Sequence, residues 1–375
     1  MLNIGLLTFH FADNYGAVMQ AYALQEYLRQ QGHESEFIDY QPAHVENGGS
    51  FWLPTSKHRI KANIYIAYQK YTRWKSRILG DHGRSKSFQK FRDENLIVAT
   101  QRFKSLEELK SVGLPYSHLI CGSDQIWNSS PQFGIDPAYF LDFGADDTKK
   151  ISFAASFGKN SVDPRYQADV GSLLKRLHHI SVREQSGVEI VQRLSGMKAN
   201  CVPDPTLMLD DFDQITEPIS ESGHIMSYVL RSVEQIDDVH QTIQDELGLK
   251  LVSPKDKFRG GKSNGDSISP SPGQWLSYFK NAEFVISNSF HGTVFAVIFR
   301  KPFVSVGISG KKGAINERAK SMLDRLGLLD RFVEHFDEAK LRELIRTPID
   351  WDSVTEKLTA WRKESHDFLM GALAT

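Results

Sequence analysis

Ile4-Gly5-Leu6-Leu7-Thr8-Phe9, a polar loop from His10 to Gly16, and Ala17-Val18-Met19-Gln20-Ala21-Tyr22-Ala23-Leu24-Gln25-Glu26-Tyr27-Leu28 open the chain. The first run is short and apolar, as a buried strand is. The last carries its apolar residues at helical spacing and runs out near Gly32, a helix stop. Glu36-Phe37-Ile38-Asp39-Tyr40 then reads as a second strand. Strand, helix and strand in that order make a βαβ unit. Its loop lies at the carboxyl end of the first strand, where open parallel sheets bind ligands.

The alternation continues. His118-Leu119-Ile120-Cys121, Lys150 to Ala154, His179-Ile180-Ser181-Val182 and Asn200-Cys201-Val202 read as further strands of a first sheet. A second set runs through Ile225 to Leu230, Lys250-Leu251-Val252, Phe284-Val285-Ile286 and Phe303 to Val306. With 375 residues the chain exceeds one ordinary core. The expected organisation is a first α/β domain over 1–212, a second over 222–350, and a C-terminal helical segment, 351–375, that packs back on the first.

Composition narrows the partners. Hydrophobic residues are 40% and charged residues 24%, ordinary for a soluble globular protein. The formal net charge of -1 provides no field for nucleic acid. Cys121 and Cys201, each in a strand-like run, suit buried packing in a reducing compartment better than a disulfide or a metal site. The N-terminus lacks the features of a signal peptide, so a cytoplasmic protein is expected. Residues 57–92 stand apart as a basic insertion: nine Lys and Arg, from Arg59 to Lys90, face one acid, Asp81, among aromatic and aliphatic residues. Two readings fit it, a helix lying on an anionic membrane surface and a solvated helix covering the first sheet.

Chemistry concentrates at strand ends. Ser287-Asn288-Ser289-Phe290-His291-Gly292-Thr293 follows an apolar strand and leads into an apolar helix. A helix N-terminus presents N–H groups to a phosphate or carboxylate, with His291 beside it as a proton donor. The plainer reading makes Ser289 a cap and His291 a gap filler. In the loop after the first strand, Gly16 permits close backbone approach. Asn14 can cap the helix and offer amide donors to a hydroxylated ligand. His10, Asp13 and Tyr15 share that loop, which lacks the spacing of a dinucleotide fingerprint. Cys121-Gly122-Ser123-Asp124-Gln125-Ile126-Trp127-Asn128 ends another strand. Asp124 there is a helix cap or a base for a sugar hydroxyl, and Trp127 a platform for a sugar ring or plain core. Arg183, directly after a strand, offers a guanidinium fork to an anion, or an ion pair to Glu184 or a surface carboxylate.

Taken together and in order, these segments resemble the polysaccharide pyruvyl transferase family. The resemblance runs from Thr8-Phe9-His10 and Asn14-Tyr15-Gly16-Ala17 through Cys121 to Asn128, Ser181-Val182-Arg183-Glu184 and Asp204-Pro205-Thr206. It continues to Ser289 to Ala296 and on to Arg318 and Met322 to Gly327. It implies two Rossmann-like domains facing each other across a cleft, as in GT-B glycosyltransferases. It also implies phosphoenolpyruvate as co-substrate, with no cofactor or metal, and a sugar or lipid-linked oligosaccharide diol as acceptor. The first domain would take the acceptor, through His10, Asn14, Tyr15, Gly16, Gln125 and Trp127. The second would take the donor, through Ser289, Gly292 and Thr293, with Arg183. His291 would be the acid, and Asp124 or Asp13 the base. Some members carry arginine where Ser289 stands; Lys311 and Lys312 are the expected replacements for that charge, with Lys301 a weaker candidate. The alternatives are a nucleotide-sugar glycosyltransferase of the same architecture, a transferase of another phosphorylated donor, and a non-catalytic carbohydrate-binding protein. A lipid-linked acceptor would place the protein at the inner face of the plasma membrane.

Overall fold

Ile4, Leu6 and Leu7 are fully buried, and the strand that contains them, β1 (Asn3–Leu7), lies inside a parallel sheet. In this computed structural model, residues 2–42, 44–45, 63–64, 66–68, 70–71, 82–129, 134–230, 233–254, 265–308 and 316–374 are described. The chain divides into two compact units, the first Met1–Pro205 with His366–Thr375 and the second Thr206–Ser365.

Unit 1 carries seven parallel strands in the order β3-β2-β1-β4-β5-β6-β7. They are β1, β2 (Glu34–Tyr40), β3 (Val98–Phe103), β4 (His118–Gly122), β5 (Lys149–Ala155), β6 (His179–Val182) and β7 (Asn200–Cys201). Among the described residues its helices include α1 (Tyr15–Gln30), α2 (His82–Asn95), α3 (Leu106–Ser111), α4 (Gln167–Leu174) and α5 (Gln185–Ser195). Asn14 starts α1: its side chain accepts the Ala17 N–H at 3.1 Å. After α1 the chain reverses through Gly32, whose φ of +81° favours glycine. The described end of the basic insertion belongs to α2. That helix turns Phe88 and Phe91 inward and holds the Arg84 guanidinium 5.2 Å from the Tyr15 ring centroid. Most of the rest of the insertion, Trp74 included, lies outside the described residues.

Unit 2 carries six parallel strands in the order β10-β9-β8-β11-β12-β13. These are β8 (His224–Tyr228), β9 (Leu251–Pro254), β10 (Asp266–Ile268), β11 (Ala282–Ser287), β12 (Phe303–Val306) and β13 (Phe332–Val333). Around them are α6 (Ile236–Leu247), α7 (Pro272–Lys280), α8 (Phe290–Ile298), α9 (Glu317–Leu326) and α10 (Glu338–Arg346). The last helix, α11 (Trp351–Leu373), belongs to unit 2 through Ser365 and to unit 1 from His366 onward. Within unit 1, the Tyr27 hydroxyl and His366 Nδ1 lie 2.8 Å apart and tie that end down. The junction falls at Pro205/Thr206 rather than at 212–222. Phe212 packs edge-on to Phe295 at 5.1 Å, and Asp213 pairs with Lys280 at 2.6 Å, so this segment joins the second core.

β3, β10 and β13, absent from the strand assignment above, are all edge strands. The β3 residues Thr100, Gln101 and Arg102 face water, so the apolar signal that marks an interior strand is missing. Among the described residues no helix is long and apolar enough to cross a membrane.

His118 in unit 1 and His224 in unit 2 are buried and held below the ordinary imidazole value, burial being the largest cause for each. Such a group binds more protons when unfolded, so its stabilisation is complete above about pH 6.5 and is lost as pH falls below that value. The unfolding midpoint, followed by scanning calorimetry, is therefore expected to fall as pH is lowered through the histidine range. A flat or rising midpoint there would contradict this.

Candidate active site

In unit 2, β11 ends at Ser287 and α8 begins three residues later. Ser287 Oγ donates to the Tyr228 carbonyl at 2.8 Å and accepts the Ser289 N–H at 3.0 Å, which shapes the turn. The Asn288 Oδ1 accepts the Leu230 N–H at 2.8 Å. Ser289 stands at the N-cap position, but its side chain makes no capping hydrogen bond. His291 sits in the first turn, 7% exposed, with its ring edge-on to Phe290 at 5.2 Å. Trp275 and Phe279, on α7, pack against Phe295 of α8 and fix its direction.

Gly292 answers to packing as much as to a ligand. A Cβ there would meet Ser287 Oγ at 2.2 Å and a Tyr228 ring carbon at 2.8 Å, so only glycine lets α8 approach β11. Thr293 departs from the donor-contact expectation. It is fully buried, and its hydroxyl bonds to the Ser289 carbonyl and to Ser305 Oγ, both at 3.1 Å. Lys311 and Lys312 lie outside the described residues. Arg318, on α9, places its guanidinium 5.9 Å from the Phe290 ring centroid and so brings a cation to the start of α8.

In unit 1 the structure separates the expected residues into three groups. Asn14, Tyr15 and Gly16 start α1; Tyr15 is 1% exposed and tilts against Phe88, so it is core and no acceptor contact. At the end of β4, Trp127 is also core. Its ring stacks on Phe140 at 4.9 Å, and its indole N–H donates to the Tyr139 carbonyl at 2.9 Å, which leaves no face for a sugar. Gln125 Oε1 accepts from Asn128 at 2.7 Å. No helix begins at Asp124. Its backbone is left-handed, with φ +62°, and its carboxylate accepts the Gln125 N–H at 2.8 Å.

Arg183 is the largest correction. Its side chain is 1% exposed, with Nη1 2.7 Å from Asp204 and Nε 3.2 Å from Glu184. Ser123 donates to Asp204 at 2.6 Å, and Ser156 to Glu184 at 2.7 Å. Burial works against the charge on Arg183, but Glu184, Asp204 and Asp124 outweigh it and raise its pKa. A guanidinium so enclosed ties the ends of β4, β5 and β6 together and is not available to grip a donor. Asp204, quoted above only in the family resemblance, is its partner.

The third group lines a cavity of about 730 Å³ at the carboxyl ends of β1 and β2. His10 and Asp13 enter it from the loop after β1, and Asp39, Gln41, Arg92 and Arg102 complete its polar wall. Asp13 is paired with Arg92 at 3.0 Å and accepts from Ser85. Asp39 accepts from Arg102 at 2.8 Å and Gln41 at 2.6 Å. Burial resists ionisation of Asp39, yet His10, Arg102 and Gln41 outweigh it and hold its carboxyl below the usual range. Asp39, Arg92 and Arg102 were not singled out from the sequence. The signal was there: Leu6 pairs with Phe37, and continuing that register sets Thr8 beside Asp39.

Two parallel-sheet α/β units of this kind define a GT-B-type protein. Within that class the chain belongs to the polysaccharide pyruvyl transferase family, whose model matches residues 14–310, and it is a transferase. No curated protein has significant sequence similarity to it. Among solved structures, S. aureus MnaA with UDP is 11% identical, covering 96% of this chain and 91% of that one, with a TM-score of 0.51. Arabidopsis thaliana UGT89C1 complexed with UDP-L-rhamnose is 10% identical over 98% and 94% of the two chains, at 0.48. The Neisseria meningitidis UDP-GlcNAc 2-epimerase bound to UDP-GlcNAc is 8% identical over 97% and 93%, at 0.46. Likeness at these identities concerns the fold alone.

Proposed function

We propose that the protein transfers the pyruvyl group of phosphoenolpyruvate to a sugar diol of a polysaccharide or its lipid-linked precursor. The observation that carries this reading, beside the family match, is the start of α8. There an uncapped helix terminus, His291 and the nearby Arg318 offer N–H groups, a proton donor and a cation to a small dianion. Arg318 takes the part expected of the arginine that Ser289 replaces.

The chemistry balances without a metal or cofactor. His291 delivers a proton to the methylene carbon, and one sugar hydroxyl adds to the central carbon as it loses its own proton. The second hydroxyl then forms the other carbon–oxygen bond, and the carbon–oxygen bond to phosphate breaks, phosphate leaving with the electron pair. Of the two hydroxyl protons, one restores the acid and one leaves with phosphate. Unit 2 recognises the donor in this scheme and unit 1 the acceptor.

The test is donor identity. Release of inorganic phosphate from phosphoenolpyruvate, dependent on a sugar acceptor, is the expected result. Release of UDP or GDP from a nucleotide sugar, with phosphoenolpyruvate inert, would overturn it.

A further inference from the structure

We infer that the unit 1 cavity binds a sugar and that His10 is the base that takes the proton of its hydroxyl, positioned and charge-balanced by Asp39. This rests on the acceptor role given above to unit 1.

His10 is 2% exposed, and its ring is fixed from two directions. It stacks on Phe37 with centroids 5.0 Å apart and planes 21° from parallel. Its Nδ1 lies 3.2 Å from the Thr8 carbonyl, which can only accept, so Nδ1 carries the proton. In its neutral form the ring then presents a lone pair at Nε2. That atom makes no hydrogen bond among the described residues, although the ring lines the cavity. The nearest carboxylate oxygen, on Asp39, is 3.8 Å away: too far to bond Nε2, close enough to favour the imidazolium once a proton arrives. A buried imidazole in the wall of a polar cavity, with one nitrogen anchored on a carbonyl and the other without a hydrogen bond, suits a general base.

The charges of the cavity choose the ligand. Arg92 is paired with Asp13 and Arg102, through Nε, with Asp39, while Asp93 adds a further acid, so two guanidinium groups stand against three carboxylates. Fixed donors and acceptors in balance, with Phe11 on the wall, suit a neutral polyol. At about 730 Å³ the cavity is the size of small-molecule sites in general, roughly 300–1,000 Å³. In the transfer step the sugar oxygen bonds to the donor carbon, its proton passes to Nε2, and Nδ1 keeps its own on Thr8. The proton leaves His10 with the departing phosphate.

Imidazole NMR of the full chain tests this without any donor. Adding p-nitrophenyl glycosides is expected to shift the His10 signals. Asp39→Asn, which removes the facing negative charge, is expected to lower turnover while keeping the glycoside-dependent shift. His10 signals indifferent to every glycoside would overturn the inference. Turnover provides the second arm. His10→Gln is expected to lose about a hundredfold or more in rate while keeping glycoside binding; full activity in that variant would overturn the assignment. If glycosides shift His10 but phosphoenolpyruvate is not consumed by the unaltered protein, the cavity stands and the donor reading falls.

Discussion

Replacing His291 by alanine or glutamine is expected to lower acceptor-dependent phosphate release from phosphoenolpyruvate by roughly 10²–10⁴-fold, the range of a lost general acid. The expectation follows from its place in the first turn of α8, where helix N–H groups favour a bound anion and the imidazole stands beside it. Glutamine preserves most of the volume of a side chain that is 7% exposed, so the unfolding midpoint should move little in that variant. Phosphoenolpyruvate binding should weaken less than turnover, because the helix terminus and Arg318 remain. A His291→Gln protein with normal rate and normal stability would remove His291 from the chemistry.

Arg183→Ala should act on stability rather than on donor affinity. It strips the partner from Asp204, whose side chain is wholly buried, and from Glu184 beside it. Breaking a buried ion pair from one side costs about 3–5 kcal/mol. For a domain of this size that is a fall of roughly 10 °C in the midpoint of unit 1, since each kcal/mol moves the midpoint by about 2–4 °C. Asp204→Ala should do the same. Had Arg183 gripped the donor, its loss would raise KM for phosphoenolpyruvate and leave the midpoint in place. Thermal unfolding and steady-state kinetics on the same preparation separate the two outcomes.

How far the sequence carried depended on the kind of signal. The βαβ opening was legible because apolar spacing marks buried elements: α1 was read over 17–28 and spans Tyr15–Gln30, with Gly32 just beyond it. The edge strands β3, β10 and β13 were not, since half-exposed strands lack that pattern. At the site, the turn at Ser287–Thr293 was identifiable as a strand end leading into a helix. Whether Trp127 was a platform or core, and whether Arg183 met an anion or a carboxylate, turned on residues distant in sequence. Phe140 covers Trp127 from 13 positions away, and Asp204 reaches Arg183 from 21. Nothing in local spacing sets such contacts. Asp39 is the intermediate case: it was quoted as part of a strand, and only the parallel register of β1 and β2 brings it to His10.

The account rests most on pyruvate passing intact from phosphoenolpyruvate to a sugar diol. Mass spectrometry of nitrophenyl and lipid-linked sugars, incubated with the protein and phosphoenolpyruvate, measures that transfer directly. The predicted product gains the mass of pyruvic acid less one water, appears with one phosphate released, and fails to form from a sugar whose paired hydroxyls are blocked. Phosphate release with the sugar mass unchanged, or a product that has gained a phosphoryl or glycosyl group instead, would contradict it.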